Sequence, residues 1–254
     1  MHREILIVGA LLAALFLVPG VLQAQFENQQ KIFQSELNRP VDVATADIDG
    51  DGRQDMIVTS QYTREVVWYR NVGDHAFGEQ QLVARTEAQP QQLVTSDMDG
   101  DGDRDILVTL STGGRAELLI WYENKEDGIS ASSPISVRGD YISSVRLTDL
   151  NGDGLNDLIY RSRVNIIWHA NLGGRFSQGR SLTALASEGS ELALADLNGD
   201  GRTDVLFQSD PDHRVQGDDQ IAWMQNNDST FSVPKVLLDS LEITGGLHTV
   251  RLSS

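Results

Sequence analysis

The 254-residue chain contains no cysteine, so neither disulfides nor a thiol nucleophile belong to its chemistry. Positive charge is also scarce, with 20 Lys and Arg against 37 Asp and Glu and a net charge of -17. That balance argues against nucleic acid and anionic membrane as partners, because those surfaces are held by clustered Lys and Arg. No G-x-S-x-G elbow and no phosphate-cradling glycine loop occurs. The histidines His2, His75, His169, His213 and His248 have no metal or catalytic spacing to one another. His169 takes the place that Tyr69, Tyr122 and Met224 hold in equivalent segments, which points to packing. What is present is ordinary for a globular protein: 40% apolar and 22% charged residues, enough to bury a core.

The one long apolar run lies at the start, in MHREILIVGALLAALFLVPGVLQAQ. Arg3 precedes it, Pro19-Gly20 breaks it, and Ala24 is the small residue of a cleavage site, so residues 1–24 read as a secretory signal peptide. An uncleaved signal anchor is the alternative, since about 18 to 20 apolar residues suffice to span a bilayer. The mature chain is therefore expected outside the cytoplasm, in the periplasm, on the cell surface or in the medium, with no membrane span after cleavage. An exported protein without disulfides needs some other staple.

The rest of the chain repeats. DIDGDGRQD from Asp47, DMDGDGDRD from Asp97, DLNGDGLND from Asp149 and DLNGDGRTD from Asp196 follow one another at spacings of 50, 52 and 47. A second marker follows each: VVWYRN, LIWYEN, IIWHAN and IAWMQN, ending at Asn71, Asn124, Asn171 and Asn226 and holding all four tryptophans. A third, Phe26, Phe77, Ile129 and Phe176, opens each unit, and Phe231 opens a fifth that is incomplete here. Between the markers lie short apolar runs such as MIVTS, ILVTL and VLF, bounded by Gly, Asp and Asn and too short for helices.

A period near 50 built of such runs predicts an all-β fold, a β-propeller of four-stranded blades. The first unit would use Gln30 to Ser35, Val41 to Asp47, Asp55 to Ser60 and Glu65 to Arg70. Four complete blades and a partial fifth result, each blade taking its fourth strand from the following unit. They form either a closed wheel or an arc of a larger one. One Trp per unit at one strand position reads as packing against the neighbouring blade rather than as a sugar-stacking platform.

The loops carry the chemistry. Calcium takes about six to eight hard oxygen ligands, and a loop offering them at positions 1, 3, 5, 9 and a carbonyl at 7, with Gly at 6, suits it. The first loop supplies Asp47, Asp49, Asp51, the Arg53 carbonyl and Asp55; the second supplies Asp97, Asp99, Asp101, the Asp103 carbonyl and Asp105. The third supplies Asp149, Asn151, Asp153, the Leu155 carbonyl and Asp157, and the fourth Asp196, Asn198, Asp200, the Arg202 carbonyl and Asp204. About four Ca²⁺ are thus expected, weaker in the last two loops where Asn replaces Asp. A helical calcium hand needs Glu at position 12, whereas Val58, Val108, Tyr160 and Phe207 stand there. Fifteen of the 37 acidic residues fall in these loops, and the remaining 22 nearly balance the 20 Lys and Arg. Such crowding is self-repulsive without a cation.

The D-x-[DN]-G-D-G-x-x-D loops followed by apolar strands resemble the FG-GAP or VCBS repeat family, relatives of which form the β-propeller of integrin α subunits. The resemblance runs from Phe26 to Ser254, although a literal Phe-Gly survives only at Phe77-Gly78. It implies blades with calcium loops. The function expected is a binding or adhesion module for a protein or glycan, with no catalytic constellation visible. The alternatives are a calcium-dependent propeller enzyme acting on polysaccharide, a lyase or hydrolase, and a structural fragment completed by other blades or by self-association through unpaired end strands. Specificity is expected in the two longest polar loops, Glu126 to Pro134 and Ser209 to Asp219.

Overall fold

A computed structural model describes residues 39–113, 116–125, 128–131, 134–135, 137, 141–186, 191–209 and 219–241. Residues 1–24, read above as a signal peptide, the strand expected at Gln30 to Ser35 and most of the loop from Ser209 to Asp219 lie outside the described residues. Among those residues there is no helix, and hence none long and apolar enough to cross a membrane.

Four antiparallel four-stranded sheets follow one another along the chain. The first consists of β1 (Pro40–Ala46), β2 (Asp55–Ser60), β3 (Glu65–Tyr69) and, after a small hairpin of β4 (Asn71–Gly73) and β5 (Ala76–Phe77), β6 (Gln81–Arg85). The second holds β7 (Gln89–Ser96), β8 (Asp105–Ser111), β9 (Ala116–Glu123) and β10 (Ser130–Ala131). The third holds β11 (Ile142–Thr148), β12 (Asp157–Ser162), β13 (Asn165–His169) and β14 (Arg180–Thr183). The fourth holds β15 (Leu192–Ala195), β16 (Asp204–Ser209), β17 (Asp219–Met224) and β18 (Lys235–Leu241).

The sheet boundary differs from the sequence unit as the offset of the fourth strand requires: β6 lies beyond the Phe77 marker. The second and third markers meet in one turn, because Asn71 pairs with Phe77, Asn171 with Phe176 and Asn226 with Phe231.

The second strands explain the unbroken apolar runs. Every residue of β8 and β12 is buried, because each lies inside a sheet covered on both faces. Three cores form, one at each junction of consecutive sheets. Ile57 and Val66 pack with Ile106 and Val108; Leu107 and Trp121 with Leu158 and Tyr160; Ile159 and Trp168 with Val205 and Phe207. Trp68 joins the first of these at partial burial, so three tryptophans do pack between sheets.

The first strands of the sheets lie side by side, β1 next to β7, β7 next to β11, and β11 next to β15. A side chain of one accepts the backbone N–H of the next: Asp42 from Leu93 at 2.8 Å, Gln92 from Val145 at 2.9 Å, and Ser144 from Leu192 at 2.6 Å.

Candidate metal loops and an intersheet cleft

Each acidic loop joins the first strand of a sheet to the second, so all four occupy one topological position. The glycines at positions 4 and 6 adopt positive φ, Gly50 at 71° and Gly52 at 83° in the first loop, a conformation that side chains with a Cβ resist. The backbone then curls around the carboxylates. Asp47 accepts from the N–H of Gly52 at 2.8 Å, Asp97 from Gly102 at 3.0 Å, Asp149 from Gly154 at 2.9 Å and Asp196 from Gly201 at 2.8 Å. Positions 3 and 5 each accept the N–H two residues on. Asp49 and Asp99 take those of Asp51 and Asp101, while Asn151 and Asn198 take those of Asp153 and Asp200. Asp51, Asp101, Asp153 and Asp200 in turn take the N–H of Arg53, Asp103, Leu155 and Arg202, each at 2.9 Å.

Position 9 behaves differently. Asp55, Asp105, Asp157 and Asp204 are fully buried, and each bridges two backbone segments. One oxygen accepts the N–H at loop position 2, from Ile48, Met98, Leu150 and Leu197. The other accepts the N–H of Asn71, Asn124, Asn171 and Asn226 at 2.7 to 2.9 Å. The recurring Asn then reaches back to the preceding sheet: Asn124 donates to the Ile48 carbonyl at 2.8 Å, Asn171 to Met98 at 2.7 Å and Asn226 to Leu150 at 2.8 Å. The Asn was visible in the sequence as a recurring residue, but this role depends on partners 73 to 76 positions away.

Carboxylate oxygens converge within 4.8 Å of one another in two loops: Asp47, Asp49 and Asp51 in the first, Asp97, Asp99 and Asp105 in the second. These are hard oxygen donors of the kind Ca²⁺ takes, so the residues fit that ion in donor type. Asp55 is not among the first trio, nor Asp101 among the second. In the third and fourth loops the side-chain amides of Asn151 and Asn198 donate to Asp153 and Asp200 at 2.8 and 2.9 Å.

The loops also differ in what faces them. Arg70, one residue before the marker Asn, places Nε 2.5 Å from Asp49 and an amino group 3.0 Å from Asp51, while Arg53 also pairs with Asp51. Burial alone would raise the Asp51 carboxyl, but the Arg53 N–H and the two guanidiniums outweigh it and hold it below the ordinary value. In the second loop the same register carries Glu123. Burial pushes Asp99 up, and Asp101 and Glu123 add to the rise; burial also pushes Asp105 up to about 6. The third and fourth sheets carry Ala170 and Gln225 there. His169 is buried beside Tyr160, its Nδ1 2.8 Å from the Ser177 carbonyl, and burial lowers its pKa.

Between the second and third sheets opens a cavity of about 930 Å³, lined by Asp99, Trp121, Glu123, Arg175, Phe176 and the glycines 173, 174 and 179 among others. A smaller one of about 510 Å³ repeats the position between the first and second sheets, with Asp49, Trp68, Asn124 and Lys125. The polar segment from Glu126 to Pro134 contributes Gly128 and Ile129 to the smaller cleft and Pro134 to the larger.

The sequence profile of the FG-GAP-like repeat matches residues 47–108, 97–160 and 149–207. Each match runs from the start of one acidic loop into the strand that follows the next loop. No curated protein sequence matches the chain. Among solved structures, a lectin from Agrocybe aegerita that recognises non-reducing terminal N-acetylglucosamine is similar, with 20% identity and a TM-score of 0.50 over 78% of this chain and 65% of the lectin. The V. cholerae biofilm matrix protein Bap1 matches with 20% identity and a TM-score of 0.43, over 76% of this chain and 27% of that one. The chain thus spans less than two thirds of the length of either structure. The likeness to the lectin concerns the fold.

Proposed function

Because the chain belongs to the FG-GAP-like repeat family, we propose that it is an exported, calcium-loaded binding module of propeller-like build. Its ligand is a glycan held in the cleft between the second and third sheets, and it catalyses no reaction. The observation that carries this reading is the composition of the 930 Å³ cleft. Half-buried Phe176 gives aromatic surface for a sugar ring, with only an edge of the buried Trp121 reaching the wall, and Asp99, Glu123 and Arg175 give charged donors and acceptors for hydroxyl and amide groups.

Calcium would be held by the carboxylates of the four loops, led by the convergent trios Asp47, Asp49, Asp51 and Asp97, Asp99, Asp105. When bound, the ion supplies a double positive charge that offsets the clustered carboxylates. Asp99 belongs both to its trio and to the cleft wall, so the metal loop and the ligand cleft share a side chain.

A glycan-array screen of the chain, in calcium and in EDTA, tests the reading. Binding in calcium is expected to fall by about tenfold or more in Arg175→Ala, the effect of losing a contact at the centre of a site. Arg175 is exposed, so the substitution leaves the core intact. An array without signal in calcium, or a variant that binds like the parent, overturns it.

A further inference from the structure

The three junctions between consecutive sheets are built alike, and the two ends of the row expose the halves of a fourth. Four residues before each acidic loop, Leu93, Val145 and Leu192 are at most 4% exposed, each lying against the preceding sheet. Val43, the same position in the first sheet, is 57% exposed. Its N–H turns to its neighbour Asp42, where its counterparts donate to a side chain of the preceding strand. Asn71 contacts the Gln54 carbonyl of its own loop, the bond that Asn171 and Asn226 make to Asn156 and Thr203 in addition to their intersheet bond.

The other end shows the complementary pattern. At loop position 2, Ile48, Met98 and Leu150 are at most 5% exposed, and each carbonyl receives the Asn of the following sheet. Leu197, the fourth of this series, is 42% exposed. Glu191 stands where Asp42, Gln92 and Ser144 accept the N–H of the next first strand.

We infer that the chain associates head to tail with a second copy of itself, the Val43 and Asn71 face of one docking on the Leu197 and Glu191 face of the other. The contact continues the internal junction: the Val43 N–H meets Glu191, the Asn71 amide meets the Leu197 carbonyl, and both apolar side chains leave water. Each copy carries both faces, so the interface is heterologous, and such contacts give rings or open filaments according to whether the rotation closes. The inference is independent of the glycan reading, since neither face includes the cleft between the second and third sheets.

Light scattering on the full chain in calcium tests it. The parent is expected to gain mass with concentration, and Val43→Asp and Leu197→Asp each to remain single chains with an unchanged circular dichroism spectrum. Mixed in equal amounts, the two variants are expected to form a dimer and stop there, because the pair retains one intact face of each kind. That recovery also shows that both variants fold. A parent that stays a single chain at every concentration overturns the inference. So does a single chain in which the Val43 amide is protected from hydrogen exchange, which would mean that the molecule covers its own ends. A mixture that recovers nothing overturns the head-to-tail geometry.

Discussion

The carboxylate at loop position 9 and the Asn that closes each sequence marker form one device. Asp157 bridges the N–H groups of Leu150 and Asn171, and Asn171 passes the connection to the Met98 carbonyl of the sheet before. Asn171→Ala leaves buried carbonyls without donors and is expected to cost about 1 to 3 kcal/mol in urea unfolding. Asp105 makes a second prediction. Its folded value of about 6 lies above the ordinary 3.8, so in chelator its contribution favours folding fully below about pH 4 and is lost as the pH rises through about 6. Calcium needs the ionised carboxylate, and affinity at the second loop is expected to weaken about tenfold between pH 7.5 and pH 5 in calorimetric titration. Arg70 pairs with Asp49 and Asp51, two of the three convergent carboxylates of the first loop; if calcium binds there, Arg70→Ala is expected to tighten that binding, whereas an unchanged titration would show that the guanidinium does not compete.

At the scale of elements, the loop and strand pattern was legible because it is local. The positive φ of Gly50 and Gly52, the Asx-type N–H bonds and the strand character of the apolar runs in β2, β8, β12 and β16 follow from residues within a few positions of one another. The hairpins joining the third and fourth strands were less legible, because the sequence unit begins in the middle of them. In the third sheet that hairpin brings Gly179 against His169, where an added Cβ would lie 2.6 Å from the imidazole Nε2. Gly179→Ala is expected to displace His169 from its place beside Tyr160 and cost about 1 to 3 kcal/mol by overpacking. The parent holds His169 neutral by burial, so this element should lose stability as the pH falls below the unfolded value of about 6.5. A variant that melts like the parent would show that the histidine has room to move.

For the whole molecule, the question is what replaces disulfides. Extracellular calcium sites have Kd of about 10⁻⁴ to 10⁻³ M, so at about 1 mM each would stabilise the fold by roughly 0.4 to 1.4 kcal/mol. Four such sites give roughly 2 to 6 kcal/mol, and EDTA should lower Tm by roughly 4 to 24 °C at about 2 to 4 °C per kcal/mol for a chain of this size. Scanning calorimetry with and without EDTA checks this, and coincident melts would mean that the loops are ordinary turns. The expectation that the third and fourth loops are the weak ones rested on Asn151 and Asn198. Arg70 and Glu123 add a difference between the first two loops that depends on which strand faces each.

The sequence by itself determined the repeat, the all-β character, the loop positions and the places of the tryptophans. All of these follow from short-range patterning, turn chemistry and a period that copies one local solution four times. Only the tertiary structure decided which residues meet across sheets. The intersheet reach of Asn124, Asn171 and Asn226, the cleft shared by Asp99, Trp121 and Arg175, and the exposure of Val43 and Leu197 each depend on the neighbour a sheet has. Val43 and Val145 are identical side chains at equivalent positions, yet one is 57% exposed and the other fully buried. The difference is physical and non-local: a strand residue loses water only where another sheet lies over it, and the local pattern around it carries no record of whether one does.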